Sequence, residues 1–417
     1  MKDLIITFSS LWLISHAASD VISDIMLNTI PISISDVFEG TDQKNDNFNT
    51  LQIIQSQGYP AEAHTVTTED GYILTMHRIP GKPGSPAVFL GNCLFGSSAD
   101  FLIVNKSQSL AFMLADQGYD VWFGNYRGNT YSRAHVNLTT NDRRFWDFSW
   151  HESGIYDLPA MITYIVETKQ NLLRAYIGFS LSTTTFFVLS SERPEIARLV
   201  QSAYHLAPIA YLKYQQSPVL RFLASIEETL KKLIDDVSHG EILQNDVLVK
   251  ILAKYFCYSN TLEEKFCSNL MFLVVGFDNT EFDYQLMPKF LNHLPAGASI
   301  KQLVHYGQLI NSGDFRQYDY GKDKNLKIYN SIEPPKYNIS RIITPIAMFW
   351  GENDWLSDRT DVMRFVNELP SKPIFYKVPH KKFNHLDFLV ARDVRKLVYD
   401  KLIDILTNNQ LNLHLET

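Results

Sequence analysis

The chain has 417 residues, 45% of them hydrophobic and 20% charged, enough for one large domain with an insertion or for two domains. A formal net charge of −7 and an isoelectric point near 5.9 argue against nucleic acid as a partner. Cysteine and histidine never recur at zinc spacing and no His-Glu-x-x-His is present, so no metal or other cofactor is expected.

At the start, Lys2 precedes an apolar run over 4–14, and Ala17-Ala18-Ser19 offers a small-residue cleavage site. Residues 1–19 therefore read as a signal peptide, with the mature chain beginning near Asp20. The run is too short to span a bilayer, and no other segment is long and uncharged enough, so no integral membrane span is expected. Sequons at Asn105, Asn137 and Asn338 agree with secretion and are candidate glycosylation sites. In an oxidising compartment Cys257 and Cys267 are expected to form a disulfide, which leaves Cys93 over. Residues 20–50, with the tract TDQKNDNFNT, read as an extended arm.

Residues 65–68 and 72–78, joined by Glu69-Asp70-Gly71, predict a hairpin. The unbroken apolar run AVFLG at 87–91 is that of a strand buried on both faces. It runs into Asn92-Cys93-Leu94-Phe95-Gly96-Ser97-Ser98, a loop able to turn backbone N–H groups toward a reacting centre. A helix over 110–117, a strand over 119–123 and a helix over 158–169 follow. Residues 172–177 have the composition of a buried strand. After them come Gly178-Phe179-Ser180-Leu181-Ser182 and a helix-length segment closed by Pro194. A Ser between small residues at a strand-to-helix turn is the nucleophile-elbow arrangement, in which the helix start aims free N–H groups at the Ser oxygen. An incidental Ser in an ordinary strand–turn–helix is the plainer alternative. The alternation of strand and helix implies a mostly parallel sheet with right-handed crossovers.

Beyond 206 the rhythm changes. Residues 206–339 carry helical patterns, including 220–237 and 241–256, and are expected to form a helical cap between the two parts of a sheet domain, 51–205 and 340–417. Alternation resumes with a strand at 346–350, a helix at 362–369, a strand at 374–378 and a helix at 390–408. The first of these strands ends in Gly351-Glu352-Asn353-Asp354, and Asn384-His385-Leu386-Asp387 follows the last. These segments supply what a lone Ser lacks: His385 as the base that takes the Ser180 proton, and Asp354 to fix the imidazole tautomer and stabilise its cation. Asp358 or Asp361 could replace Asp354, and His380 competes with His385. Ser, then Asp, then His is the chain order found in α/β-hydrolases.

The chain resembles the acid lipase family of α/β-hydrolases, to which the gastric and lysosomal acid lipases belong, from about residue 51 to 406. The likeness is carried by Gly58-Tyr59-Pro60, Thr68-Glu69-Asp70-Gly71-Tyr72, Gly118-Tyr119-Asp120-Val121-Trp122 and Gly124-Asn125-Tyr126-Arg127-Gly128-Asn129. It continues through Phe148-Ser149-Trp150-His151-Glu152, Tyr156-Asp157-Leu158-Pro159-Ala160, Gly351-Glu352-Asn353-Asp354-Trp355-Leu356 and Asn384-His385-Leu386-Asp387-Phe388. The resemblance implies an α/β-hydrolase fold with a mostly parallel central sheet flanked by helices and an inserted cap or lid. It also implies a secreted or lysosomal hydrolase of acylglycerols, steryl esters or related lipids, working at a lipid–water interface without a metal. By motif match it assigns Ser180, Asp354 and His385 as the catalytic triad and the backbone N–H groups of Leu94 and Leu181 as the oxyanion hole.

Two departures bear on activity. The elbow reads Gly178-Phe179-Ser180-Leu181-Ser182 where family members usually have Gly-His-Ser-Gln-Gly, and the oxyanion loop reads Asn92-Cys93-Leu94 where they usually have His-Gly-Leu. Ser182 adds bulk where helix and strand are closest, a modest strain. If the loop needs a positive φ at Cys93, its side chain costs about 1–2 kcal/mol or moves the loop. A hydrolase of reduced activity is the expectation, and a homologue that kept the fold as a lipid-binding protein is the alternative. Trp122, Trp146, Trp150 and Phe145 are expected in the core, and Arg127 and His151 as buried, hydrogen-bonded structural groups.

Overall fold

Segments Ala87–Gly91 (β3), Asp120–Phe123 (β4), Ala175–Phe179 (β6), Ala203–Leu206 (β7) and Ile346–Trp350 (β10) are buried at every position, as strands covered on both faces must be. In the computed structural model, which describes residues 48–227, 240–242 and 271–413, they form the middle of a nine-stranded sheet. All described residues fall in one compact unit, Asn47–Thr417. Strands Glu62–Thr67 (β1) and Tyr72–Ile79 (β2) enter antiparallel at one edge, and Ile374–Lys377 (β11) closes the other. The order is β1-β2-β4-β3-β6-β7-β10-β11, parallel from β4 onward, with the short β5 (Ala134–His135) beside β2. This is an α/β-hydrolase sheet flanked by helices.

Register decides where the loops meet. Gly91 pairs with Gly178 and Phe179 with Leu206, so the ends of β3, β6 and β7 lie side by side. Phe349 pairs with Leu206, and the carboxyl end of β10 joins the same edge. Catalytic loops in open α/β sheets gather at this edge.

Several expected boundaries moved. The elbow strand begins at Ala175 because Leu172 is 41% exposed beyond the left-handed Gln170 that ends the preceding helix, Leu158–Lys169. The arm expected to reach residue 50 gives way to a helix, Thr50–Ser56, started by an Asn49/Gln52 capping box. The helix expected over 390–408 is broken into Asp387–Val390, a π-helical turn Arg395–Tyr399 and Asp400–Thr407. In the segment 206–339, the expected helix 220–237 is described only as Pro218–Ser225, N-capped by Ser217. Glu241–Ile242 (β8), expected to open a helix, instead form a strand pairing with Ala298–Ser299 (β9). A helix over Ile300–Ser312 packs on Pro218–Ser225, with Asn311 Nδ2 donating to the Ala224 carbonyl at 3.0 Å. The expected signal peptide, residues 20–47 of the arm and the Cys257–Cys267 pair lie outside the described residues.

Candidate active site

Ser180 sits between β6 and the helix Leu181–Glu192 with φ 55° and ψ −113°. A non-glycine residue in this region is strained, and persists only where its surroundings dictate it. They do so here by close packing. A Cβ on Gly178 would lie 2.8 Å from Tyr176 Cε1 and 3.1 Å from the Ser182 carbonyl, so strand and helix approach only because residue 178 has none. Ser182 is accommodated on the other side by Gly91, where a Cβ would meet Ser182 Oγ at 2.5 Å. Its hydroxyl donates to the Asn92 carbonyl at 2.6 Å and accepts from Tyr126 Oη at 3.0 Å. The expected strain is thus relieved by a neighbouring glycine, and the extra hydroxyl ties the elbow helix to the loop after β3.

Ser180 Oγ lies 2.7 Å from His385 Nε2, and His385 Nδ1 lies 2.8 and 3.0 Å from the two oxygens of Asp354. All three are buried, at 7%, 3% and 2% exposure. An ionised carboxylate only accepts, so Nδ1 carries the proton toward Asp354 and Nε2 keeps the lone pair that receives the Ser180 hydroxyl. Asp354 Oδ1 also accepts the N–H groups of Leu356 and Ser357 at 2.9 and 2.8 Å, which fixes the carboxylate before it meets the imidazole. The competing residues are engaged elsewhere. Asp358 caps the helix Arg359–Glu368, Asp361 accepts the Tyr214 N–H, and His380 pairs with Asp278 at 2.5 Å.

Leu181 opens its helix, so its N–H has no intrahelical acceptor. The Leu94 N–H has no acceptor among the described residues, and it belongs to the loop that β3 sets beside the elbow. Positive φ in this loop falls on Phe95, at 63°, and not on Cys93. The Cys93 side chain therefore sits in the buried interior of the loop without left-handed strain, its thiol pushed up by burial and by the nearby Asp100 carboxyl.

Sequence reading missed the support beneath the imidazole. The Val275 carbonyl accepts the backbone N–H groups of both Trp355 and His385, at 3.2 and 3.4 Å. Gly276, at φ 108°, presses on the Asn353 carbonyl so closely that a Cβ would overlap it, while its own carbonyl takes the Asn384 amide at 3.0 Å. The only trace in the sequence was a glycine after an apolar helical stretch. Asp387, two residues past His385, is buried with Oδ1 unbonded, and burial first, then nearby carboxylates, raise its acid well above the usual range.

Trp122, Trp146, Trp150 and Phe145 are core residues at no more than 2% exposure. Arg127 is buried against Asp157 (2.7 Å) and Asp70 (2.6 and 2.9 Å), and His151 Nδ1 meets Tyr337 Oη at 2.8 Å. Asn105, Asn137 and Asn338 are all exposed. Among the described residues no cluster of His, Cys, Asp and Glu is arranged to hold a metal ion, and no helix is long and apolar enough to cross a membrane.

Residues 86–389 match the family described as "alpha/beta hydrolase fold", and residues 50–105 match the "Partial alpha/beta-hydrolase lipase region". The chain is 40% identical to Lipase 1 of Drosophila melanogaster over 87% of its length and 81% of the relative's. It is 38% identical to gastric triacylglycerol lipase of Rattus norvegicus over 87% of this chain and 92% of that one. It is 37% identical to human lipase member K over 86% and 90%. Among solved structures, an acetylester hydrolase from Corynebacterium glutamicum superposes with a TM-score of 0.51 at 14% identity, covering 86% of this chain and 99% of that one, a likeness of fold alone.

Proposed function

Because this chain belongs to the acid lipase family of α/β-hydrolases, we propose that it is a secreted serine hydrolase of lipid carboxylic esters, acylglycerols or steryl esters, acting at a lipid–water interface. The observation that carries the reading is the hydrogen-bonded line Ser180 Oγ–His385 Nε2 (2.7 Å) and His385 Nδ1–Asp354 (2.8 Å). Ser180 Oγ attacks the ester carbonyl carbon while His385 Nε2 takes the hydroxyl proton, and Asp354 stabilises the imidazolium. The Leu94 and Leu181 N–H groups receive the oxyanion. Collapse breaks the ester C–O bond, the leaving alkoxide takes the proton back from His385, and an acyl-Ser180 remains. Water, deprotonated by His385, attacks the acyl carbon, releases the carboxylic acid and restores Ser180. No cofactor enters these steps.

The supporting architecture is read in the same way: signal peptide 1–19, arm 20–50, hydrolase core 51–205 and 340–417, and a helical cap over 206–339. Exposure of Asn105, Asn137 and Asn338 supports their glycosylation on a secretory route, with the extracellular space or the lysosome as destination. Pairing of Cys257 with Cys267 belongs to the same reading.

A fluorophosphonate probe tests the core claim, since attack by Ser180 Oγ on phosphorus expels fluoride and leaves a stable phosphonyl-serine. Wild type is expected to label and to hydrolyse tributyrin and cholesteryl oleate emulsions. Ser180→Ala should lose the label and about 10⁶ of kcat, and Asp354→Asn about 10⁴. Folded wild-type protein that neither labels nor hydrolyses any ester, at acid and neutral pH alike, would refute it.

A further inference from the structure

The loop that presents the Leu94 N–H is wrapped around one buried carboxyl. Asp100, fully buried at the start of the 3₁₀ turn Asp100–Leu102, receives the Cys93 N–H on Oδ2 at 3.0 Å and the Ser97 N–H on Oδ1 at 2.9 Å. Gly96 closes so tightly over it that a Cβ there would overlap the carboxyl group. The Cys93 thiol is a neighbouring side chain that opposes the rise of its acid. No cation is paired with Asp100 among the described residues. The titratable group that faces it is the Cys93 thiol, while His77, on β2, turns its Nδ1 to Ser98 Oγ at 2.7 Å.

Planarity of the peptide bond carries this grip to the oxyanion hole. The Asn92–Cys93 peptide is held at both ends, its carbonyl by Ser182 Oγ (2.6 Å) and its N–H by Asp100. In the next peptide the Cys93 carbonyl is taken by Asn92 Nδ2 and by the Gly96 N–H, each at 3.0 Å. The Leu94 N–H lies in that same plane on the opposite side, so its direction is set by whatever fixes the two peptides.

We infer that Asp100 is a positioning residue for the oxyanion hole, and that the charge state of its carboxyl governs turnover; the inference rests on the Ser180 reading. Ionised, Asp100 accepts a backbone N–H on each oxygen. Protonated, it presents a hydroxyl to one of those N–H donors, loses that bond and frees the loop. Burial raises the Asp100 pKa to about 6 against the opposing pull of the Cys93 and Ser97 N–H groups and the neighbouring Cys93 thiol. Loss of one oxyanion donor lowers kcat by about 10²–10³, and a misdirected one by at least about tenfold.

The test compares wild type with Asp100→Asn on soluble p-nitrophenyl butyrate from about pH 5 to about pH 8. Asn keeps one acceptor oxygen but turns an NH₂ group toward the second N–H. At the alkaline end kcat should fall about tenfold or more with KM within about twofold, as for an interaction made only in the transition state. The ratio of the two kcat values should then shrink with one-proton dependence on acidification, because any other ionisation that turnover needs is common to both and cancels. A purely structural role leaves that ratio independent of pH, and a constant ratio or an unchanged kcat refutes the inference. Cys93→Ala decides it independently, also where Asp100→Asn does not fold. Removing the thiol that opposes the rise of the Asp100 acid moves the acid limb to higher pH, and an unmoved limb overturns the proposal. Fluorophosphonate labelling accompanies both. Labelling with a constant ratio refutes Asp100 alone, whereas folded wild type that does not label refutes the Ser180 reading and this inference with it.

Discussion

Ser182→Ala is the sharpest test of how the elbow is held. The side chain is fully buried, and its hydroxyl makes two contacts, donating to the Asn92 carbonyl at 2.6 Å and accepting from Tyr126 Oη at 3.0 Å. Tyr126 Oη keeps Thr185 Oγ1 at 3.0 Å and Tyr176 Oη at 3.1 Å, so it loses little. The Asn92 carbonyl has no replacement donor among the described residues, and a buried acceptor left unpaired costs about 1–3 kcal/mol. Ala recovers at most about 0.5 kcal/mol of helix propensity. The net expectation is a loss of about 1–2 kcal/mol, read as a lower urea midpoint by tryptophan fluorescence at constant m. Because Asn92 and Cys93 share the released peptide plane, kcat should fall about three- to tenfold with KM nearly unchanged. A midpoint equal to wild type within about 0.5 kcal/mol, together with an unchanged kcat, would mean that Ser182 is merely tolerated.

Two further outcomes follow from buried charge. His205, in β7 among Tyr176, Phe186 and Phe187, has no hydrogen-bond partner on either ring nitrogen, and burial lowers its pKa to about 3. The unfolded chain binds a proton there below its ordinary value of 6.5 while the folded chain does not, so stability drains away as pH falls through that window. His205→Leu should therefore gain on wild type by about 2 kcal/mol between about pH 7 and about pH 5 in urea titrations; a gap that stays constant with pH would disprove it. Arg127→Met should cost about 3–5 kcal/mol, because it leaves the buried Asp157 carboxylate and the half-buried Asp70 without their guanidinium; a melting temperature equal to wild type would disprove that.

How much of this was legible in the sequence depends on the range of each interaction. Strands β3 and β10 were readable to the residue, because an unbroken apolar run between polar loops has one good solution in a two-faced sheet. The start of β6 was not, since Leu172 is apolar yet exposed, and composition alone does not tell an edge residue from a core one. The broken helix after His385 escaped because its apolar period continues while the backbone leaves it for residues 391–393. At the site, Ser180, Asp354 and His385 could be named from motif and order, and they do lie in hydrogen-bond contact. What positions them and the oxyanion loop could not be named. Asp100 and the Val275–Gly276 corner act through backbone N–H and carbonyl groups, which every residue carries and no motif spells out.

The same limit explains why Ser182 looked like a defect. Close approach of a strand and the helix that follows it requires missing side-chain bulk at the contact, but not at one fixed residue. Here Gly91 and Gly178 pair across neighbouring strands, and the Ser182 hydroxyl occupies the space that a side chain at 91 would take. The requirement belongs to the pair 91/182, so the two positions must couple. Gly91→Ala alone puts a Cβ 2.5 Å from Ser182 Oγ, an overlap on the order of 1–3 kcal/mol. In Gly91→Ala/Ser182→Gly that overlap is gone, and the remaining losses are the Asn92 hydrogen bond, the flexibility of a glycine in the first helical turn and a tight 3.1 Å approach of the new Cβ to Tyr176 Oη. A double-mutant cycle on urea midpoints should therefore return a favourable coupling of about 1–2 kcal/mol between residues ninety-one positions apart in the chain. Additive losses would show that Gly91 and Ser182 do not compete for one space, and the account of how this elbow closes would fall with them.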